Sequence, residues 1–140
     1  MLLGIHPLLH GELLRALDEM GHGDVLAIVD ANFPAARTGA RVTRLPGSAI
    51  IDALDAILTV FPRDPSTPIE LMTGPTGETE VHTSLIAGVA MADARRHHSP
   101  PSIMWHDRFG FYDAAARAAL LVQTGETRHF ANIALVKDAL

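Results

Sequence analysis

Residues 19–34 read Glu-Met-Gly-His-Gly-Asp-Val-Leu-Ala-Ile-Val-Asp-Ala-Asn-Phe-Pro. The centre of this stretch, Val25 to Val29, is an unbroken apolar run five residues long and rich in β-branched side chains. That length suits a strand covered on both faces better than a helix, and such strands belong to parallel sheets flanked by helices. The run starts just after His22, which lies between two glycines, and stops at Asp30 and a turn-forming Ala-Asn-Phe-Pro segment. His22 and Asp30 therefore bracket the strand.

Upstream, Leu13, Leu14, Leu17 and Met20 recur at helical spacing, which predicts a helix over Gly11–Met20 closed by a left-handed Gly21. Downstream, residues 35–41 read as loop, Val42–Leu45 as a short strand, and Pro46-Gly47 as a turn. Ile50, Ile51, Leu54, Ile57, Leu58 and Phe61 form one apolar face of a helix over Ala49–Phe61, with Ser48 as its cap and Pro62 as its stop. Ile69–Thr73 is a further strand, residues 79–97 a helix ending near Ser99-Pro-Pro101, and Ile103–Trp105 another strand. Arg108–Ala118 has the composition of a helix, Leu120–Gln123 and Ile133–Val136 are strands, and Thr124-Gly-Glu126 is a turn. Strands and helices alternate almost throughout. The expectation is a single α/β domain over residues 1–140, layered, with a mostly parallel central sheet flanked by helices.

Composition narrows the function. The chain has a formal net charge of −5, and its eleven basic residues are scattered, so the electrostatic footprint of a nucleic-acid binder is missing. Charged residues make up 19% of the chain against roughly 25% in typical soluble domains, which points to self-association. There is no cysteine, which excludes disulfides, thiolate metal sites and a cysteine nucleophile and fits a reducing cytoplasm. The N-terminus lacks the basic lead of a secretory signal, and no apolar stretch reaches the ~18 residues of a membrane span. No membrane role is expected. His6 and His10 are separated by Pro7 and lack a Glu partner at metal-site spacing, and His97 and His98 are adjacent, so no metal is expected. The glycines form no phosphate-binding pattern, and no cofactor is expected.

Three places can carry chemistry. Histidine is the side chain most often used as a general acid or base, and the small neighbours of His22 leave its imidazole accessible for that role; it can equally be a turn histidine without a task. Asp30 lies at the end of a buried strand, where open α/β sheets place ligand-binding groups, and its side chain can also cap the following turn. Trp105-His-Asp-Arg-Phe-Gly-Phe-Tyr112 joins aromatic faces to polar groups, the combination that a sugar's C–H faces and hydroxyls require. Within it Arg108 is the first choice as a ligand contact, ahead of His106 and Asp107, while Phe109, Phe111 and Tyr112 suit a core or an interface.

Glu12-Leu-Leu14, Glu19-Met-Gly-His-Gly-Asp24, Asp30-Ala-Asn-Phe-Pro-Ala35, Arg108-Phe-Gly-Phe-Tyr112, Thr124-Gly-Glu126 and Ala131-Asn-Ile133 occur in an order and at spacings that resemble the sugar mutarotase family containing L-fucose mutarotase and D-ribose pyranase. The forms Met-Gly-His-Gly-Asp, Phe-Pro-Ala and Arg-Phe-x-Phe-Tyr are closer to the fucose branch. The resemblance implies an α/β sandwich that interconverts forms of a free monosaccharide, assembled into ring-shaped oligomers, often decamers, with sites at clefts between neighbouring subunits. It implies His22 as the catalytic proton donor, Asp30 beside it, and Asp30, Arg108, Phe130, Ala131 and Asn132 as sugar-binding positions. Tyr112 is added to these as a phenol that the fold can bring close. One departure stands out: the family usually has tyrosine at the first position of the last tripeptide, and here it is Phe130. A sugar-binding or transport-accessory protein of the same fold is the rival reading, and Phe130 is the feature that favours it.

Overall fold

A computed structural model describes residues 1–140. In chain order it contains α1 (Gly11–Glu19), β1 (Val25–Val29), a single 3₁₀ turn at Ala35–Arg37, β2 (Arg41–Leu45), α2 (Ile50–Leu58), β3 (Ile69–Met72), α3 (Glu80–Arg95), β4 (Ile103–His106), α4 (Arg108–Ala116), β5 (Leu120–Thr124) and β6 (Ile133–Val136). The six strands form one sheet in the order β2-β5-β1-β6-β3-β4. β6 runs antiparallel to both its neighbours, β1 and β3, and every other pairing is parallel. The mostly parallel α/β architecture is as the sequence predicts. No helix is long and apolar enough to cross a membrane.

The apolar run of β1 is explained by its two covered faces. Leu26 and Ile28 point into a large core shared with Leu13 and Leu17 of α1, Leu54 and Ile57 of α2, and Leu85 and Val89 of α3. Ala27 and Val29, on the alternate positions, face a smaller core built with Phe111 and Ala115 of α4, Phe33, and Ala134 of β6. Three helices thus cover one face and α4 the other. In β1 and β6 the larger side chains, Leu26, Ile28, Ile133 and Leu135, lie on the three-helix side, while Ala27 and Ala134 face the α4 side, where Phe33 and Phe111 fill the space.

Several boundaries differ from the sequence expectation, each for a local reason. α1 ends as Met20 turns extended (φ −70°, ψ 140°), and the left-handed glycine is Gly23 (φ 87°), not Gly21. Asp24 Oδ2 accepts the Gly21 N–H at 2.7 Å and fixes that turn. α2 stops at Leu58 rather than Phe61, because Thr59 Oγ1 donates to the Ala56 carbonyl at 2.7 Å and the chain tightens there. Ser48 does not cap α2: its hydroxyl donates back to the Leu45 carbonyl. The Ile50 N–H at the start of α2 is met instead by the Glu126 carboxylate, 76 positions away. The helix expected over residues 79–97 spans Glu80–Arg95, where His97 turns left-handed, and the last helix ends at Ala116 rather than Ala118.

Candidate sugar-binding site

The loops after β1 and before β6 meet at the same end of the sheet, and so do the start of α4 and the end of β3. They enclose a cavity of about 230 Å³. Its polar wall is Asp30, Asn32, Arg108, His129 and Asn132; its apolar wall is Phe33, Met72, Tyr112 and Phe130.

Asp30 is 6% exposed. Its Oδ1 accepts the Asn32 N–H at 2.9 Å, so the turn-capping role is real, and its Oδ2 accepts from Asn132 Nδ2 at 3.0 Å. Asn132 Oδ1 in return accepts the Asp30 N–H at 3.0 Å. An ionised carboxylate offers about four acceptor positions, so about two remain for hydroxyl groups in the cavity. Burial pushes the Asp30 carboxyl above the ordinary carboxylate range; the hydrogen bonds from Asn32 and Asn132 and the nearby His129 oppose this.

Arg108 occupies the first helical position of α4, behind the N-cap Asp107, whose Oδ1 accepts the Gly110 N–H at 2.7 Å. Its guanidinium lies 4.8 Å from the Phe109 ring centre and pairs with no carboxylate of the chain. Five N–H donors are thus available at the cavity edge. Tyr112 packs edge-on to Phe33, with ring centres 5.3 Å apart, and reaches the cavity. The remaining aromatics divide between roles: Phe111 is fully buried in the smaller core, whereas Phe109 is exposed. His106 and Asp107 have structural tasks, His106 bonding Glu70 at 2.6 Å.

Phe130 has a left-handed backbone (φ 64°), and its ring lies 3.1 Å from where a Cβ on Gly74 would stand, so Gly74 leaves room for it. Ala131 is fully buried in the larger core and, unlike Phe130 and Asn132 on either side of it, does not line the cavity. The loop is anchored from two sides. Glu126 accepts the Ala31 N–H through its carbonyl, and Thr124 Oγ1 donates to the Val29 carbonyl at 2.9 Å. Gly125 is required at that turn, because a Cβ there would lie 2.2 Å from the Pro46 carbonyl oxygen. Arg128 holds the Glu126 carboxyl down to about 2 through a hydrogen-bonded ion pair.

His22 is not in this cavity. It lies at the other end of β1, a five-residue strand about 16 Å long. There its exposed imidazole stands 3.6 Å from Asp138, at the edge of a second cavity of about 690 Å³ lined by Leu17, Phe61, Lys137 and Leu140 among others. Within one chain the fold brings Asp30, Arg108, Tyr112, Phe130 and Asn132 together and leaves His22 apart. It adds Asn32, Phe33, Met72 and His129, none of which the sequence singles out. His129 adjoins the tripeptide, and Asn32 and Phe33 lie within the Asp30–Ala35 motif, which are the signals available; Met72 carries none.

Residues 3–139 match the model of the RbsD / FucU transport protein family. Among individual relatives, the chain is 37% identical to an L-fucose mutarotase from Actinobacillus pleuropneumoniae serotype 5b over 98% of its length and 96% of the relative. In three dimensions it is similar to FucU from Bifidobacterium longum, at TM-score 0.88 and 38% identity over 98% of this chain and 99% of that one. It is also similar to the fucose mutarotase from Streptococcus pneumoniae, solved in complex with L-fucose, at TM-score 0.85 and 30% identity over 99% of both chains. The match is end to end in sequence and in fold, and the chain belongs to the RbsD / FucU family.

Proposed function

We propose that this protein is a monosaccharide mutarotase that interconverts the anomers of a free sugar such as L-fucose, without a cofactor, in the cytoplasm. The observation that carries the reading is the cavity itself: a buried carboxylate with free acceptor positions, an unpaired guanidinium and aromatic faces in one sugar-sized space. The relatives named L-fucose mutarotase support the same activity.

Mutarotation removes a proton from the anomeric hydroxyl and delivers one to the ring oxygen. The bond between the anomeric carbon and the ring oxygen breaks, giving the open aldehyde; rotation and reclosure on the other face reverse the two proton transfers. The overall proton count does not change. Asp30 and Asn132 accept from and donate to sugar hydroxyls, Arg108 fixes a third, and Phe130, Phe33 and Tyr112 pack against the sugar's C–H faces. His22 shuttles the proton. Since it lies a strand's length from Asp30 in its own chain, the His22 that serves a given cavity comes from a second copy, so the active unit is a homo-oligomer with its sites between subunits. The exposed Met104, Trp105 and Phe109 near the cavity side fit such an interface. The ring of ten subunits implied by the family resemblance is the expected assembly, and light-scattering mass checks it.

The test is exchange NMR of anomeric signals with L-fucose, D-ribose, D-galactose and L-rhamnose. Faster interconversion for one sugar, lost in His22→Ala and without deuterium entering any carbon position, supports the reading. A second reading, a sugar-binding or transport-accessory protein, is favoured by Phe130, whose ring carries no hydroxyl to relay a proton. Binding without acceleration would establish it instead.

A further inference from the structure

His82 is fully buried in the first turn of α3, outside the cavity lining, and its two ring nitrogens have different partners. Nδ1 lies 3.0 Å from the Thr79 backbone N–H, a group that only donates, so Nδ1 is the acceptor. Nε2 therefore carries the proton, and it lies 3.0 Å from the Phe130 carbonyl oxygen, which only accepts. Trp105 packs edge-on against the imidazole, ring centres 5.2 Å apart, and holds its plane.

The Phe130 carbonyl is a critical point in the loop. It also accepts the Asn132 N–H at 2.9 Å, closing a tight turn around Ala131, and Phe130 itself is in a left-handed conformation that a non-glycine residue keeps only when its surroundings hold it. Asn132 in turn makes both hydrogen bonds to Asp30. A continuous chain of bonds thus runs from Thr79 through His82, Phe130 and Asn132 to the Asp30 carboxylate.

We propose that His82 is a positioning residue of the sugar site: its Nε2–H, fixed by the Thr79 N–H on the opposite side of the ring, holds the 130–132 turn in the shape that aims Asn132 and the Phe130 ring into the cavity. The inference rests on the sugar-binding reading of that cavity for its functional consequence, though not for its structural one.

Two conservative variants separate the two ends of the ring. An asparagine amide oxygen sits the same number of bonds from the backbone as the imidazole Nδ1, so His82→Asn keeps the helix cap and loses the bond to Phe130. A glutamine amide nitrogen matches Nε2 in the same way, so His82→Gln keeps the bond to Phe130. With the full oligomeric protein, His82→Asn is expected to raise the KM for anomer exchange about tenfold, the loss of one buried hydrogen bond, with kcat changed much less. His82→Gln is expected to restore KM. In ¹⁵N-labelled sugar-free protein, His82→Asn should shift the amide signals of Ala131, Asn132 and Asp30 while leaving those of α3 in place. The proposal is overturned if His82→Asn leaves KM and those amides unchanged, or if the two variants are equally impaired in step with melting temperature. If the wild-type protein neither binds nor exchanges any sugar of the panel, the functional reading falls, and the amide shifts alone still decide whether His82 sets the turn.

Discussion

Asp30 and Asn132, 102 positions apart, hold each other by two reciprocal hydrogen bonds of 3.0 Å, backbone to side chain in one direction and side chain to side chain in the other. This pair joins the end of β1 to the start of β6 and leaves a buried carboxylate half occupied. Burial raises the pKa of Asp30, so sugar binding through its ionised form should fail, as pH falls, at a midpoint above the ordinary carboxylate value of about 4. The sign for stability is opposite: the folded state takes up this proton more readily than the unfolded one, so ionised Asp30 carries a stability penalty. Asp30→Asn should abolish sugar exchange and, despite relieving that penalty, lower the melting temperature, because both carboxylate oxygens accept N–H groups and an amide offers only one acceptor oxygen, as paired NMR and thermal-melt measurements would show.

A site shared between subunits makes a prediction about mixtures. His22→Ala and Asp30→Asn proteins should each be inactive, by a factor of about 10²–10⁴ for the histidine. Co-expressed and co-assembled, they should regain about a quarter of wild-type activity, because random pairing gives that share of clefts an intact His22 and an intact Asp30. Assembly of separately folded chains by denaturation and refolding provides the measurement; no recovery in verified mixed oligomers would place His22 outside the site.

Glu126 predicts an acid limb of stability. Hydrogen bonding to Arg128 holds its carboxyl near about 2, against an ordinary value of 4.5. A carboxylate with a lowered folded pKa contributes stability above its unfolded value, and that contribution is lost as pH falls from about 4.5 toward 2. Given the half-exposed Arg128, we expect about 1–2 kcal/mol. Glu126→Gln should flatten urea-denaturation midpoints measured between about pH 5 and pH 2.5, values at which roughly the full swing is sampled. It should also weaken the start of α2, whose Ile50 N–H this carboxylate accepts.

Arg63 and Asp93 form a bidentate pair, both side chains 3% exposed, that pins the C-terminal half of α3 to the loop before β3. Asp93→Ala should cost about 3–5 kcal/mol, since it strands a buried guanidinium, and Arg63→Met with Asp93→Leu should recover most of it. Chemical denaturation of the three proteins checks this, and sugar exchange should persist wherever the chain still folds.

The sheet is legible in the sequence because its central strands carry the apolar runs Val25–Val29, Leu120–Val122 and Ile133–Val136 and the first two helices keep helical spacing; Val25–Val29 alone points to burial on both faces. Asp30, Arg108 and Asn132 are legible too, since they sit at strand ends or helix starts within recognisable motifs. The long-range partners are not. Ser48 is the natural cap by position, yet the carboxylate that meets α2 arrives from residue 126, and nothing local announces it. Gly21 is the expected helix terminator because helix ends favour left-handed glycine, but the Asp24 side chain moves that conformation to Gly23. His82 and Met72 lie in segments that read as ordinary helix and strand, and their link to the site exists only once α3 and β6 are packed together.

The strand inserted between β1 and β3 is β6, the last of the six in chain order. Until it arrives, β2-β5-β1 on one side and β3-β4 on the other have no strand joining them. The ribosome therefore releases the keystone of the sheet after every strand it must join, and the 130–132 turn that completes the sugar cavity is made in the same event. Nascent chains cut short of residue 133 should have no sugar affinity at all, and a binding-competent protein is by that fact one whose two half-sheets have already closed.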